Sequence, residues 1–355
     1  MLDAGEPGLG RDDQAAYSYQ PLGFARVTAA AGVVTSFNKG GGTVTATRTS
    51  AGTYRVDFPG LGSTAFGDAW FGNAQIVAEG TNTVRCQLDS VVDVAPALTV
   101  LVDCFAATGA RADTAFAVEY HRYAMPAPNA RPAYHAYSLV AFDGHVANLL
   151  DYNASGVHNS VAHTAPGRYT VTITNATALN ASIMLTAADP DQPGNVCAVT
   201  YWTTGTIYVE CRDRTGAYED TAFSISYAVS GPTIDQQGAH AWFNGTAASP
   251  TYSAALGKVS WCSPASVTGS RAGSLATMVV SGDLGSWDAA PFVHTGFASK
   301  YGSAGYCKVE SSTASGSAPS WTGTTTVRCY DPAGAVIATP QFTFTDVTNN
   351  PTGPC

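Results

Sequence analysis

The sequence predicts an all-β protein of three tandem, disulfide-containing modules. Three observations lead to this fold class. Apolar and polar residues alternate with a period of two over many short segments, which is the pattern of half-buried strands. Cysteines occur in pairs of similar spacing. A set of short motifs recurs in the same order roughly every 110 residues, which is the signature of an internal repeat.

The composition narrows the classes of function. Of the 355 residues, 45% are hydrophobic and only 12% are charged, and the formal net charge is −9. Such a chain lacks the basic patch of a nucleic-acid-binding protein, so we expect no nucleic-acid partner. No apolar run approaches the ~20 residues that a membrane-spanning helix requires, so we expect no membrane span.

Six of the eight cysteines form three pairs along the chain. The members of a pair lie 18, 14 and 22 residues apart, and the pairs are Cys86 and Cys104, Cys197 and Cys211, and Cys307 and Cys329. Similar spacings at regular intervals predict one disulfide used three times. Because disulfides persist in oxidising compartments, we expect a secreted, extracellular protein. The alternative is eight buried thiols in a cytosolic protein.

Motifs around these cysteines define the repeat. They comprise a Gly-x-Tyr-x-Val segment, a Val-x-Cys segment that ends in the second cysteine, a glycine five residues later and a closing aromatic strand. The matches place units at 16–123, 133–229 and 238–347, the last followed by a tail to residue 355. Proline and glycine punctuate both joins, as is typical of linkers.

Residues 1–15 precede the first unit and have the composition of a flexible, polar arm. They lack the basic start and the apolar segment of a signal peptide. We therefore interpret the chain as a mature or recombinant form from which a leader has been removed.

Within a unit, the predicted strands follow in a fixed order. Residues 169–174 alternate almost perfectly, and alternating apolar residues share one face over 84–88 and over 100–104. The segment Asp213–Gly216 has the chemistry of a type I turn, so the chain returns as the closing strand of a hairpin. About seven or eight short strands in about 100 residues is the density of a β-sandwich, which we expect to be immunoglobulin-like. A small barrel is the alternative.

Cys262 and Cys355 lie outside the repeat and both belong to the third unit. We expect them to pair and to hold the C-terminal tail against that unit. The alternative is that Cys355 remains free to link to another chain.

The full pattern is Gly-x-Tyr-x-Val, then Val-x-Cys, then Val-x-Cys-x-Asp-x-x-Gly, then Phe-x-Val-x-Tyr. Unit 2 carries it best, at 167–171, 209–216 and 223–227. This pattern resembles a repeat of uncharacterised secreted β-rich proteins of high-GC, actinobacterial-type bacteria. The resemblance implies export and a β-rich module, and it implies no activity. Unit 3 departs most, because it lacks the tyrosine and gains Cys262.

No motif for catalysis, phosphate binding or metal binding is present, so we expect no catalytic residue, no metal and no cofactor. The densest set of candidate zinc ligands is Asp143, His145, His158 and His163, all in unit 2. A secreted hydrolase with a histidine-based site in this unit is therefore the alternative function. Surface histidines on loops are the plainer interpretation of the same residues.

The leading hypothesis is a non-enzymatic scaffold or binding protein that engages another protein or a glycan through loops and sheet edges. Trp70 and Phe71, in a glycine-rich insertion, and Trp287, in a similar one, are the candidate binding residues. The pairs Tyr201-Trp202 and Trp242-Phe243 are further candidates for stacking on sugar rings. A subunit of a larger exported assembly is a third possibility. Glycosylation sequons begin at Asn153, Asn175, Asn180 and Asn244.

Overall fold

The computed structural model describes ten segments of the chain: 22–62, 72–122, 135–176, 181–189, 191–229, 238–245, 251–252, 266–283, 294–317 and 320–348. They contain 24 β-strands and no helix, so the predicted all-β fold class is confirmed. Within these segments no helix is long and apolar enough to cross a membrane. The arm at 1–15, Cys262, Cys355, Trp70, Phe71 and Trp287 lie outside the described residues.

Eight strands fall in each of the three units. Those of unit 1 are β1 (Leu22–Val27), β2 (Val33–Asn38), β3 (Thr45–Ser50), β4 (Thr53–Pro59), β5 (Asn73–Glu79), β6 (Arg85–Val94), β7 (Ala97–Phe105) and β8 (Ala115–His121). Those of unit 2 are β9 (His135–Val140), β10 (Val146–Asn153), β11 (Ser160–Ala165), β12 (Arg168–Thr172), β13 (Ala181–Ala187), β14 (Val196–Thr203), β15 (Thr206–Arg212) and β16 (Phe223–Val229). Those of unit 3 are β17 (Gly238–Phe243), β18 (Thr251–Tyr252), β19 (Ser266–Ala272), β20 (Leu275–Asp283), β21 (His294–Lys300), β22 (Tyr306–Ser317), β23 (Ser320–Tyr330) and β24 (Phe342–Thr348).

Unit 2 shows the arrangement of the module most simply. One antiparallel sheet has the order β10-β9-β16-β13, and the other has the order β11-β12-β15-β14. Alternate residues of both sheets form one core, in which Tyr169 and Val209 of one sheet join Ile183, Phe223 and Ile225 of the other. Unit 1 repeats both strand orders. Unit 3 departs from them, because β18 pairs with β19 rather than with β17.

Among the described cysteines, three disulfides join Cys86 to Cys104, Cys197 to Cys211, and Cys307 to Cys329. In each case the two cysteines lie directly opposite one another on neighbouring antiparallel strands, with a Cα–Cα distance of 4.0 Å. Each bond therefore ties two strands of one sheet. This differs from the disulfide of antibody domains, which connects the two sheets of a sandwich.

The glycine of the Gly-x-Tyr-x-Val motif is required by the strand that carries the second cysteine. Gly167 has a φ of 62°, and its carbonyl accepts a hydrogen bond of 2.7 Å from the Cys211 amide. A Cβ at this position would lie 2.4 Å from the Cys211 carbonyl oxygen. In unit 1 the Gly52 carbonyl accepts the same bond from the Cys104 amide. The motif glycine therefore marks a place where two backbones approach closely, which only glycine permits.

The three units pack against one another around a common axis rather than forming a linear string of separate modules. Strands β5, β13 and β21 occupy the same place in their units and contact one another. A shared apolar cluster includes Val77 of unit 1, Met184 of unit 2, and Phe297 and Val309 of unit 3. A parallel bridge between Val309 and Glu79 joins units 3 and 1 into one nine-stranded sheet.

Equivalent hydrogen bonds connect the units around this axis. The Thr186 hydroxyl of unit 2 accepts a bond of 3.0 Å from the Ile76 amide of unit 1. The Ser299 hydroxyl of unit 3 accepts one of 3.0 Å from the Leu185 amide of unit 2. Ile76 and Leu185 occupy equivalent positions opposite the closing strands of their units, so the same contact occurs at both junctions. Between units 3 and 1 the Gly80 amide donates instead to the Val309 carbonyl.

Candidate functional site

The histidines of unit 2 do not converge on one site. Nδ1 of His145 lies 2.9 Å from a carboxylate oxygen of Asp143, and Nδ1 of His158 lies 3.2 Å from one of Asp151. Nε2 of His163 lies 2.8 Å from a carboxylate oxygen of Asp220. In the part of the chain that the structure describes, no three His, Cys, Asp or Glu side chains are placed to share a metal ion. The hydrolytic alternative therefore finds no assembled site there.

His163 has a structural role that unit 1 reproduces with an arginine. Its partner Asp220 accepts a hydrogen bond of 2.6 Å from the Gly167 amide. In unit 1, Asp113 accepts one of 2.7 Å from the Gly52 amide and pairs with Arg48. The hydrogen bond from Arg48, followed by that from the Gly52 amide, lowers the pKa of Asp113 to about 2. Because Arg48 and His163 each precede the motif glycine by four residues, we interpret His163 as an anchor for this carboxylate.

Five aromatic side chains lie in two groups near the join of units 2 and 3, on opposite faces of β14. They form what we call the aromatic patch, which consists of Tyr201, Trp202 and Tyr208 of unit 2 and Trp242 and Tyr301 of unit 3. Tyr201, Tyr208 and Trp242 expose 54%, 41% and 40% of their surface. Exposed aromatic rings are typical of binding sites.

The rings of the patch are held in defined relative positions. Tyr201 and Tyr208 pair across β14 and β15 and stack, with centroids 5.9 Å apart and planes at 28°. Trp202 meets Tyr301 edge to face at 4.8 Å and Trp242 at 6.0 Å. Trp242 and Tyr301 are 5.5 Å apart. Since each ring contacts another ring of the patch, a ligand would meet a preformed surface.

Backbone contacts between the two units fix the patch. Val199 of β14 forms a parallel bridge with Tyr301, and its carbonyl accepts a bond of 2.9 Å from the Gly302 amide. A register shift between Val199 and Tyr201 follows directly in the strand. Burial, and secondarily the nearby Tyr201, raises the pKa of the Tyr301 phenol, so this hydroxyl remains protonated at neutral pH.

Charged hydrogen-bonding groups continue along the same outer face of unit 2. On β15, Tyr208 is followed at alternate positions by Glu210 and Arg212. The Tyr218 ring lies between two guanidinium groups, with Arg212 at 3.8 Å and Arg168 at 4.2 Å from its centroid. The Tyr218 hydroxyl donates to Glu210 at 3.1 Å. This face therefore combines stacking rings with ordered polar side chains.

Of the sequence-predicted residues, Tyr201, Trp202 and Trp242 fall in this patch, whereas Phe243 is buried in the core of unit 3. Sequence reasoning missed Tyr208 and Tyr301. Tyr208 had a usable signal, since it alternates with buried Ile207 and Val209 and so lies on the outer face of β15. Tyr301 had none, because its role depends on how units 2 and 3 pack.

Of the three sequon asparagines that the structure describes, Asn153 and Asn175 have contrasting environments. The Asn153 amide nitrogen is buried and donates to Asn159 at 2.8 Å and to the Thr174 carbonyl at 3.0 Å. Asn175 is exposed on a turn. A glycan on Asn153 would displace both of its hydrogen bonds, whereas Asn175 faces no such obstacle.

Comparisons with known proteins give no relative. No protein-family model, no curated protein and no solved structure matches this chain. The function is therefore argued from the geometry of the molecule alone.

Proposed function

We propose that this chain is a secreted, non-enzymatic binding protein whose aromatic patch binds a glycan. The observation that carries the proposal is the stacked and exposed pair Tyr201 and Tyr208 on the outer face of β14 and β15. The C–H faces of a sugar ring stack on aromatic rings of this kind. Glu210 and Arg168, farther along the same face, supply the groups to which sugar hydroxyls hydrogen-bond.

Three disulfides support the extracellular part of the proposal, because such bonds persist outside reducing compartments. Unit 2 alone carries the tyrosine pair. Ser90 and Leu101 face each other at the equivalent place in unit 1, and Ser311 and Thr326 do so in unit 3. Units 1 and 3 therefore act as a scaffold around one binding face.

A glycan array probed with three forms of the protein tests the proposal. The wild type should bind a defined group of glycans, and Y201S/Y208S should lose at least tenfold in affinity, or about 1.4 kcal/mol. Phe142→Ser is the matched control, because Phe142 is 57% exposed on the turn after β9 of the same unit. It should bind as the wild type does.

The array can contradict the proposal in two ways. Equal binding by the wild type and Y201S/Y208S would show that the patch is not the glycan site. A wild type that binds no glycan would exclude a sugar ligand from the array. In that case, a protein partner captured from culture supernatant and lost with Y201S/Y208S would reassign the same patch to a protein, since Trp and Tyr also dominate protein interfaces.

A further inference from the structure

The turn between β5 and β6 of unit 1 is held by side chains of β22 in unit 3. The Tyr306 hydroxyl donates to the Thr83 carbonyl at 2.8 Å, and Nζ of Lys308 donates to the Asn82 carbonyl at 2.9 Å. Nζ of Lys308 also donates to Oδ1 of the Asn82 side chain. The first and third units thus place an amine directly against a side-chain amide.

The Lys308 side chain is fully buried, with 0% of its surface exposed, and among the described residues no carboxylate pairs with it. Glu310 and Glu79 attract it through longer-range electrostatics, but their carboxylates are held by Arg328 and Arg26. Burial therefore lowers the pKa of Lys308 to about 7, so a substantial fraction of the amine is uncharged at neutral pH. An uncharged lysine amine is a nucleophile.

The side-chain amide of Asn82 is held in one orientation beside this amine. Its Oδ1 accepts a hydrogen bond of 3.1 Å from the Val84 amide as well as the one from Lys308. Its Nδ2 donates to the Thr114 hydroxyl at 3.2 Å, and that hydroxyl donates to the Glu79 carbonyl at 2.9 Å. Cγ of Asn82, the carbon that an amine attacks, is one bond away from the oxygen that Nζ contacts. The structure therefore keeps the two groups close together, which is the condition under which an intramolecular reaction is fast.

We propose that the Lys308 amine and the Asn82 side chain form an isopeptide bond, which links unit 3 covalently to unit 1. Nζ of Lys308 attacks Cγ of Asn82, and Oδ1 takes up the negative charge, which the Val84 amide stabilises. One proton passes from Nζ to Nδ2, the Cγ–Nδ2 bond breaks, and ammonia leaves. Because Asn82 lies on an exposed turn, the ammonia passes directly to solvent. The product is a neutral secondary amide, and no oxidant or cofactor is consumed.

The bond acts where the first and last units of the chain meet. The same junction carries the parallel bridge between Val309 and Glu79 and the hydrogen bond from the Gly80 amide. The reaction replaces a buried amine, whose charged form is costly in this environment, with a neutral amide. It also closes the arrangement of the three units covalently. The bond is separate from the aromatic patch, so it does not depend on the glycan proposal.

Mass spectrometry of the intact protein, reduced and denatured, tests the bond. We expect the wild type to be lighter than its calculated mass by one molecule of ammonia, whereas Lys308→Met and Asn82→Ala should each have their full calculated mass. Lys39→Met is the matched control, because Lys39 lies half-exposed in the turn after β2, and it should show the same loss as the wild type. Tandem mass spectrometry of tryptic peptides from the wild type should find residues 82 and 308 in one branched peptide.

Three results would overturn the proposal. The first is a wild type with its full calculated mass, a measurement that does not depend on any variant folding. The second is a loss of ammonia that persists in Lys308→Met, because an Asn-Gly pair such as residues 244–245 can lose ammonia by closing to a succinimide. The third is a branched peptide that joins Lys308 to a residue other than Asn82.

Discussion

Replacing Thr186 with valine removes one hydroxyl from the junction of units 1 and 2 while keeping the shape of the side chain. That hydroxyl accepts a bond of 3.0 Å from the Ile76 amide and donates one of 2.8 Å to Oε1 of Gln75. All three residues are buried. The variant therefore leaves one buried donor and one buried acceptor without this partner.

Each such group costs roughly 1–3 kcal/mol when its partner is removed. We therefore expect Thr186→Val to lower the free energy of unfolding by about 2–6 kcal/mol, measured by urea denaturation with the disulfides intact. Thr170→Val is the control, because Thr170 lies half-exposed on the outer face of β12. Its effect should stay within about 0.5 kcal/mol.

A loss for Thr186→Val that equals the loss for the control would refute the reasoning. It would mean that the Ile76 amide meets water in solution, and hence that units 1 and 2 do not pack as described. The same result would contradict the contact between residues 76–78 of unit 1 and 185–187 of unit 2, which line one cavity where these units meet.

Three further changes test separate parts of the account by the same denaturation assay. C197A/C211A opens a loop of 14 residues, which should cost about 3 kcal/mol; a cost below 1 kcal/mol would contradict this. Gly167→Ala should destabilise far more than Gly216→Ala, because both have positive φ but only the Cβ at Gly167 meets backbone; equal losses would contradict the close approach. In the Asn82→Ala background, which keeps the Lys308 amine free, burial lowers the pKa of Lys308 to about 7, so between pH 7 and pH 10 the unfolded state binds more protons than the folded state. The free energy of unfolding, relative to that of the same chain with Lys308→Met, should therefore rise by about 2–3 kcal/mol from pH 6 to pH 9. A difference between the two proteins that does not change with pH would contradict the burial of a charged lysine.

The module could be predicted from sequence because its signals are local. Alternation over 169–174 reflects a strand with one buried face, and the cysteine spacings reflect pairing between strands that follow one another in the chain. The motif glycine was recognised as a repeated position, but the reason for it required the structure. That reason is the approach of the second-cysteine strand, seen at Gly167 and Cys211.

The packing of the units could not be predicted, because polar residues are mixed with the apolar ones at the contact. On β13, Ser182 and Thr186 alternate with the core residues Ile183 and Leu185, which in sequence indicates a solvent-exposed face. In the structure both faces of this strand are buried. Polar side chains at a contact between units cannot be distinguished, in the sequence, from side chains exposed to solvent.

The sites depend on this packing, so sequence gave them only in part. Trp202 and Trp242 could be selected as aromatic candidates, but their meeting requires units 2 and 3 to join. The burial of Arg85 could not be predicted from the sequence, because an arginine next to a cysteine on a strand is normally a surface residue. Its burial follows from contacts with unit 3 at Pro332 and Tyr306.

The central claim is that three copies of one module close around a common axis, which brings Trp202 of unit 2 against Trp242 and Tyr301 of unit 3. Small-angle X-ray scattering of the native monomer measures it most directly. A compact chain of 355 residues should have a radius of gyration of about 20 Å. A value near 30 Å, as roughly expected for three such modules in a linear string, would contradict the claim.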